Sequence, residues 1–168
     1  MRIFANDLES FCIEALLKCG LSERDARLTA DVLVTTDTWG VFTHGTKSLR
    51  GYCKRLRAGG LNPAAQPEIL KDGPAWAIVD GHSAIGMVTS CFAMNTAIAK
   101  ARAAGIGFVS VKNSCHFGAA GFYAHMAVAH DMIGQAMAND CPSVTAPGAR
   151  KCARVLRPQS ANQLPWNP

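Results

Sequence analysis

The sequence is most informative at first through what it does not contain. No stretch approaches the ~18 consecutive apolar residues of a membrane span, and the start, Met1-Arg2-Ile3-Phe4-Ala5, turns polar at Asn6, Asp7 and Glu9. Neither a membrane partner nor a secretory segment is therefore expected. The cysteines (Cys12, Cys19, Cys53, Cys91, Cys115, Cys141 and Cys152) include no CxxC pair and no other zinc spacing. Their odd number and wide scatter predict reduced thiols in a cytoplasmic protein, with no bound metal. GxGxxG, P-loop and GxSxG signatures are all missing, which removes support for a standard Rossmann fold, P-loop phosphate chemistry and the common hydrolase elbow.

What remains is a globular composition: 168 residues, 49% hydrophobic and 17% charged, with a net charge of +5. A chain near this size buries roughly 70% of its unfolded surface and needs no disulfide or metal to hold a core. Basic residues cluster between Lys47 and Arg57 and again between Arg150 and Arg157. A domain committed to phosphate backbones is usually more basic than this, and anionic small molecules fit such clusters equally well.

Periodicity divides the chain in three. Residues 1–62 read as a helical cap. A capping-box-like start at Asn6-Asp7-Leu8-Glu9 opens a first helix stopped by Gly20, and Ser22 with Asp25 opens a second that ends before Gly40. A third starts near Thr43 or Gly45 and is terminated by Gly59-Gly60. Residues 63–150 alternate. Strands are expected at 75–79, 106–112 and 132–138, and helices at 86–104 and 119–130, the pattern of an α/β layer. Residues 151–168 contain three prolines, have no helical or strand period, and read as an irregular tail with no strand to add to a sheet.

Two histidine segments sit where element ends expose side chains and backbone donors. In the first, Thr43 is placed to cap the third helix, while Lys47 and the Tyr52 hydroxyl lie within reach of an anion at its N-terminus; His44 beside them is a proton donor with an unperturbed pKa of about 6.5. In the second, Asn113-Ser114-Cys115-His116 leaves a strand and is followed by the small residues of a helix start, the usual place for ligands in α/β layers. Histidines that merely cap or pack are the competing explanation for both. Lys47, Arg50, Lys54 and Arg57 also form a helix stripe; a nucleic-acid- or protein-binding module is the alternative function it suggests, and a solvated face its commoner meaning.

These segments, with Leu56-Arg57-Ala58-Gly59-Gly60-Leu61, Val79-Asp80-Gly81, Ala103-Ala104-Gly105-Ile106-Gly107-Phe108-Val109, Gly121-Phe122-Tyr123-Ala124 and Met132-Ile133-Gly134, resemble the malate/L-lactate dehydrogenase family of the second type, which includes ureidoglycolate, sulfolactate and diketogulonate dehydrogenases or reductases. The resemblance covers about residues 3 to 150. It implies an NAD- or NADP-dependent oxidoreductase that interconverts 2-hydroxy and 2-oxo acids, a homodimer with its own non-Rossmann nicotinamide-dehydrogenase fold. It places His44 and His116 at the reacting carbon, with a histidine-lined cleft between the cap and the strand ends. It assigns the nucleotide-side contacts to Phe117, Gly118, Ala119, Ala120, Gly121, Asn139 and Asp140. Two departures stand out. Where most relatives carry serine and, further on, arginine, this chain has Thr43 and Ser48, with basic residues at Lys47 and Arg50. The resemblance also ends near Arg150, short of a further strand in the family, so that the α/β fold is expected to be incomplete at the C-terminus, as in a truncation with an altered reading frame.

Overall fold

A computed structural model describes residues 3–139 and the backbone of 156–160. The chain is a mixed α/β structure with helices first. Helix α1 (Ala5–Leu17) buries Cys12 and Leu16, and Gly20, at φ +91°, turns the chain into α2 (Glu23–Thr38). The Ser22 hydroxyl accepts the Asp25 backbone N–H at 3.1 Å, the cap anticipated from the sequence. Asn6, in contrast, lies within the first turn of α1, so its side chain lacks the extended position of a cap and Phe4 precedes the helix instead. A 3-10 turn (Thr46–Ser48) leads into α3 (Leu49–Arg57), which buries Leu49, Tyr52 and Leu56 and ends where Gly60 N–H reaches back to the Arg55 carbonyl.

Three strands form the main sheet in the order β1 (Glu68–Asp72), β2 (Trp76–Asp80), β3 (Phe108–Lys112). β1 and β2 are antiparallel. β2 and β3 are parallel, with Trp76 opposite Phe108, and α4 (Gly86–Ala104) supplies the crossover that parallel neighbours require. Gly105, left-handed at φ +81°, closes α4 as its position in the sequence implies. The β1 strand was not expected, because all five of its residues are exposed and no alternation marks them.

Helix α5 (Ala120–Met126) and a second 3-10 turn (Val128–His130) then lead to β4 (Gln135–Asn139), which pairs with β5 (Leu156–Ser160) as a separate two-stranded antiparallel sheet. The expectation of a strandless tail is corrected here. Proline lacks the ladder N–H and interrupts any strand signature in a sequence, yet Pro158 is tolerated opposite Met137 because each strand of a two-stranded sheet is an edge. β4 likewise does not extend the main sheet.

One buried cluster draws on both parts of the chain: Leu16 and Leu33 from the helical segment, Met87 and Tyr123 from the α/β segment, each fully buried. Close backbone approach fixes how β3 meets α4. A Cβ added at Gly107 would lie 2.0 Å from the Ala97 carbonyl oxygen, whereas one added at Gly51, inside α3, would meet nothing within 4 Å. Gly107→Ala is therefore expected to destabilise the fold by ~1–3 kcal/mol through overpacking. Gly51→Ala should stabilise it by ~0.5–1 kcal/mol through helix propensity. Urea unfolding of the two variants checks both signs.

Candidate functional site

The first histidine turn is built on a carboxylate. Asp37, in the last turn of α2, accepts the Thr46 backbone N–H at 3.1 Å and the Thr46 hydroxyl at 2.5 Å. Glycine at position 45 follows from this, because a Cβ there would sit 1.9 Å from Asp37 Oδ1 and 3.0 Å from the Leu33 carbonyl. Two expectations are corrected. α3 begins at Leu49, so Thr43 does not cap it; the Thr43 hydroxyl lies 2.8 Å from His44 Nδ1 instead. The backbone donor at Thr46, imagined as available to an incoming anion, is already taken by the protein's own Asp37.

The second turn hangs between β3 and α5. Asp80, buried at the end of β2, accepts the His82 backbone N–H at 2.8 Å and the Asn113 side-chain amide at 3.1 and 2.9 Å on its two oxygens, with Lys112 Nζ at 3.3 Å. The His82 N–H first, then the Asn113 amide and Lys112, hold the Asp80 carboxyl below the usual carboxylate range. Asn113 itself is left-handed at φ +50°. Beyond it the Gly86 N–H donates to Cys115 Sγ at 3.1 Å, and a Cβ on Gly86 would come within 2.4 Å of the His116 carbonyl oxygen. The far end of the turn is held by the Tyr123 hydroxyl, which donates to the Phe117 carbonyl.

The two turns meet. The imidazoles of His44 and His116 stack with centroids 5.6 Å apart and planes inclined by 25°. Both side chains are exposed. Beneath them Tyr52 is 3% exposed, and its hydroxyl lies 2.5 Å from His116 Nδ1. Burial drives the Tyr52 phenol well above its ordinary pKa, so it keeps its proton, and the Gly118 N–H also donates to His116 Nδ1, at 3.4 Å. With donors on Nδ1, the neutral His116 ring carries its proton on Nε2.

The remaining sequence candidates are placed unevenly. Lys47 is exposed on the 3-10 turn and forms no ion pair among the described residues. Gly118, Ala119 and Ala120 are buried, Gly118 lying under the His44 carbonyl and Val32, while Phe117 and Gly121 are partly covered. Asn139 is exposed at the end of β4, and Asp140 falls outside the described residues. Gly118, Ala119 and Ala120 thus pack within this chain, while Phe117, Gly121 and Asn139 keep part of their surface open. Among the described residues two grooves lie away from the histidines: one of about 530 Å³ lined by Leu28, Gln66, Cys91 and Phe92, and one of about 460 Å³ lined by Asp72, Pro74 and Lys100. Arg50, Lys54 and Arg57 are exposed on α3 opposite its buried face, as a solvated stripe would be.

Sequence reasoning missed both carboxylates. Asp80 had a signal, since Val79-Asp80-Gly81 is one of the matching segments. Asp37 had none beyond its place one turn before Gly40. No helix among the described residues is long and apolar enough to cross a membrane, and none of them form a cluster of three or more metal-ligating side chains. Gly45→Ala is expected to force the Asp37 side chain aside and destabilise the protein by ~1–3 kcal/mol. An unchanged urea midpoint together with unchanged His44 ring resonances would show that the turn does not depend on this contact.

Comparison with known proteins gives the histidine pair its context. The malate dehydrogenase of Pyrococcus abyssi is 41% identical over 148 residues, covering 88% of this chain and 41% of the relative. The L-sulfolactate dehydrogenase of Methanocaldococcus jannaschii is 39% identical over 139 residues, covering 83% of this chain and 40% of the relative. Among solved structures, the malate dehydrogenase of Pyrococcus horikoshii superposes with a TM-score of 0.85 at 39% identity, over 88% of this chain and 42% of that one. The sulfolactate dehydrogenase of M. jannaschii gives 0.90 at 35% identity, over 95% and 47%. The chain thus spans about two fifths of the length of the curated relatives it matches. With the sequence pattern described as malate/L-lactate dehydrogenase matching residues 3–155, the chain belongs to that family.

Proposed function

We propose that this chain carries the proton-transferring, substrate-side part of a nicotinamide-dependent dehydrogenase that interconverts a 2-hydroxy acid and a 2-oxo acid. The observation that supports this most directly is the stacked His44–His116 pair, assembled from two turns 72 positions apart and backed by Tyr52. Reduction of a 2-oxo acid needs a proton delivered to the carbonyl oxygen, and a positioned imidazole typically contributes 10²–10⁴-fold to such a step. His116 holds a transferable proton on Nε2, and His44, whose Nδ1 is engaged by Thr43, is the second imidazole at the same spot. Lys47, exposed and without an ion pair among the described residues, is the nearby cation for the substrate carboxylate. Its ammonium is a point charge, so it orients a carboxylate less strictly than a guanidinium fork. The relatives' names support malate or sulfolactate on one side, with oxaloacetate or 3-sulfopyruvate on the other. NAD or NADP is the hydride partner and a homodimer the assembly that this reading includes.

Titration of the ¹⁵N-labelled chain with oxalate, a stable 2-oxo-acid mimic, tests the reading without requiring turnover. The ring resonances of His44 and His116 should shift together, and an uncharged alcohol should leave them in place. Oxalate that moves neither ring would overturn the assignment. In any preparation that reduces a 2-oxo acid, His44→Ala should lower kcat by roughly 10²–10⁴-fold while leaving the cofactor Kd nearly unchanged. Because the chain spans about two fifths of the length of the relatives it matches, the 168-residue chain alone should bind NADH only weakly, with Kd above about 1 mM by calorimetry. Micromolar binding would show that the chain completes a nicotinamide surface by another route.

A further inference from the structure

We infer that Asp80 is the positioning residue for His116, acting through Asn113 to fix both the place and the tautomer of the imidazole without touching the substrate itself. The inference rests on the reading of His116 as a proton carrier, and it adds a residue to which the resemblance gives no role.

Asp80 stands where β2 ends, and its carboxylate is the junction of three chain segments. Its own turn is bound through the His82 N–H, the end of β3 through Lys112, and the histidine loop through both oxygens facing the Asn113 amide. The turn that follows Asp80 is costly in backbone terms. His82 and Ser83 are left-handed at φ +48° and +62°, and Asn113 across from them at +50°. Left-handed non-glycine residues persist where surrounding bonds over-determine them. Here the bonds are the Asp80 carboxylate together with the Ser83 N–H on the Asn113 carbonyl and the Gly81 N–H on the Lys112 carbonyl, each at 2.9 Å.

Asn113 is three residues from His116, and the loop between them has no secondary structure of its own. With the start of the loop clamped, Cys115 and the His116 backbone are pressed against Gly86, where no side chain fits. The imidazole is thereby delivered to the Tyr52 hydroxyl and the Gly118 N–H, the two donors on Nδ1 that leave the proton on Nε2. Asp37 anchors the His44 turn through Thr46, so the turns that carry the two imidazoles are tied to separate carboxylates on separate elements. A loss confined to one ring is therefore distinguishable from general loosening of the fold.

The test uses the whole chain and the ¹⁵N–¹H correlations of its histidine rings. The wild-type His116 ring should show one tautomer, with Nε2 protonated and Nδ1 not. Asn113→Gly removes the amide while retaining a backbone that adopts φ near +50° freely. Asn113 is exposed, so this variant should fold. Its His116 nitrogens should collapse toward the averaged values of a free imidazole while those of His44 stay put. Asp80→Asn, which sets two amide groups facing one another, should do the same. The exchange variant, Asp80→Asn with Asn113→Asp, recreates a carboxylate–amide pair and should restore the single tautomer. A wild-type His116 that is already averaged, an Asn113→Gly chain that keeps the wild-type pattern, or a folded exchange variant that fails to regain it would each overturn the inference. If Asp80→Asn does not fold, Asn113→Gly decides. The oxalate titration is read separately: rings that ignore oxalate count against the function, whereas a tautomer indifferent to Asn113 and Asp80 counts against this positioning role.

Discussion

The hydrogen bond from Tyr52 to His116 Nδ1 is the contact around which the rest of the site is organised. It joins α3 to the loop after β3 across 64 positions of sequence, and it does so where the tyrosine is buried and the histidine is open to solvent. A hydroxyl in that position must be satisfied, because a buried unpaired donor costs on the order of 1–3 kcal/mol. The same bond, with the Gly118 N–H, occupies Nδ1 and places the ring proton on Nε2. The stacking on His44 and the burial of Gly118 beneath the His44 carbonyl lie beside this contact, and Leu49 and Leu56 seat α3 in the same core cluster as Tyr52.

Around that bond the protein uses charge sparingly and in the same way twice. Asp37 and Asp80 each occupy the end of a regular element, and each accepts a backbone N–H from an adjoining turn. Each also sits next to a glycine where a side chain would crowd its neighbours, Gly45 against Asp37 and Gly81 against the Asn113 carbonyl, where an added Cβ would lie 2.8 Å away. Carboxylates at such junctions satisfy several donors at once without a buried cation, which avoids much of the desolvation cost of an interior ion pair. Lys112 beside Asp80 is more than half exposed and contributes accordingly little.

How much of this was legible in the sequence depended on whether a residue's role was local. Ser22 as a cap, Gly105 as a stop and the limits of α4 follow from patterns within a few residues, and the structure agrees with them. The pairing of His44 with His116 was reached only through the resemblance, since nothing in 72 intervening positions encodes it. β1 escaped because its side chains face solvent on an edge, and β5 because a proline and basic residues disguise a segment whose pairing is supplied by the open edge of β4. Gly118, Ala119 and Ala120 are a different case. Small residues at a strand-to-helix junction serve close ligand approach and close core packing equally well, and here they are packed.

The parallel pairing of β2 with β3 also sets an order of events. Trp76 cannot find Phe108 until the chain between them has folded back as α4, and such non-local closure is paid for in loop entropy before any contact rewards it. Asp80 and Asn113, at the paired ends of β2 and β3, come together with that closure. The helical hairpin can therefore form early and carry His44 in place, while its partner imidazole arrives with the last register of the sheet. The stacked histidine pair is in this sense a readout of finished folding: its assembly depends on the docking of α4 and on intact ends of β2 and β3.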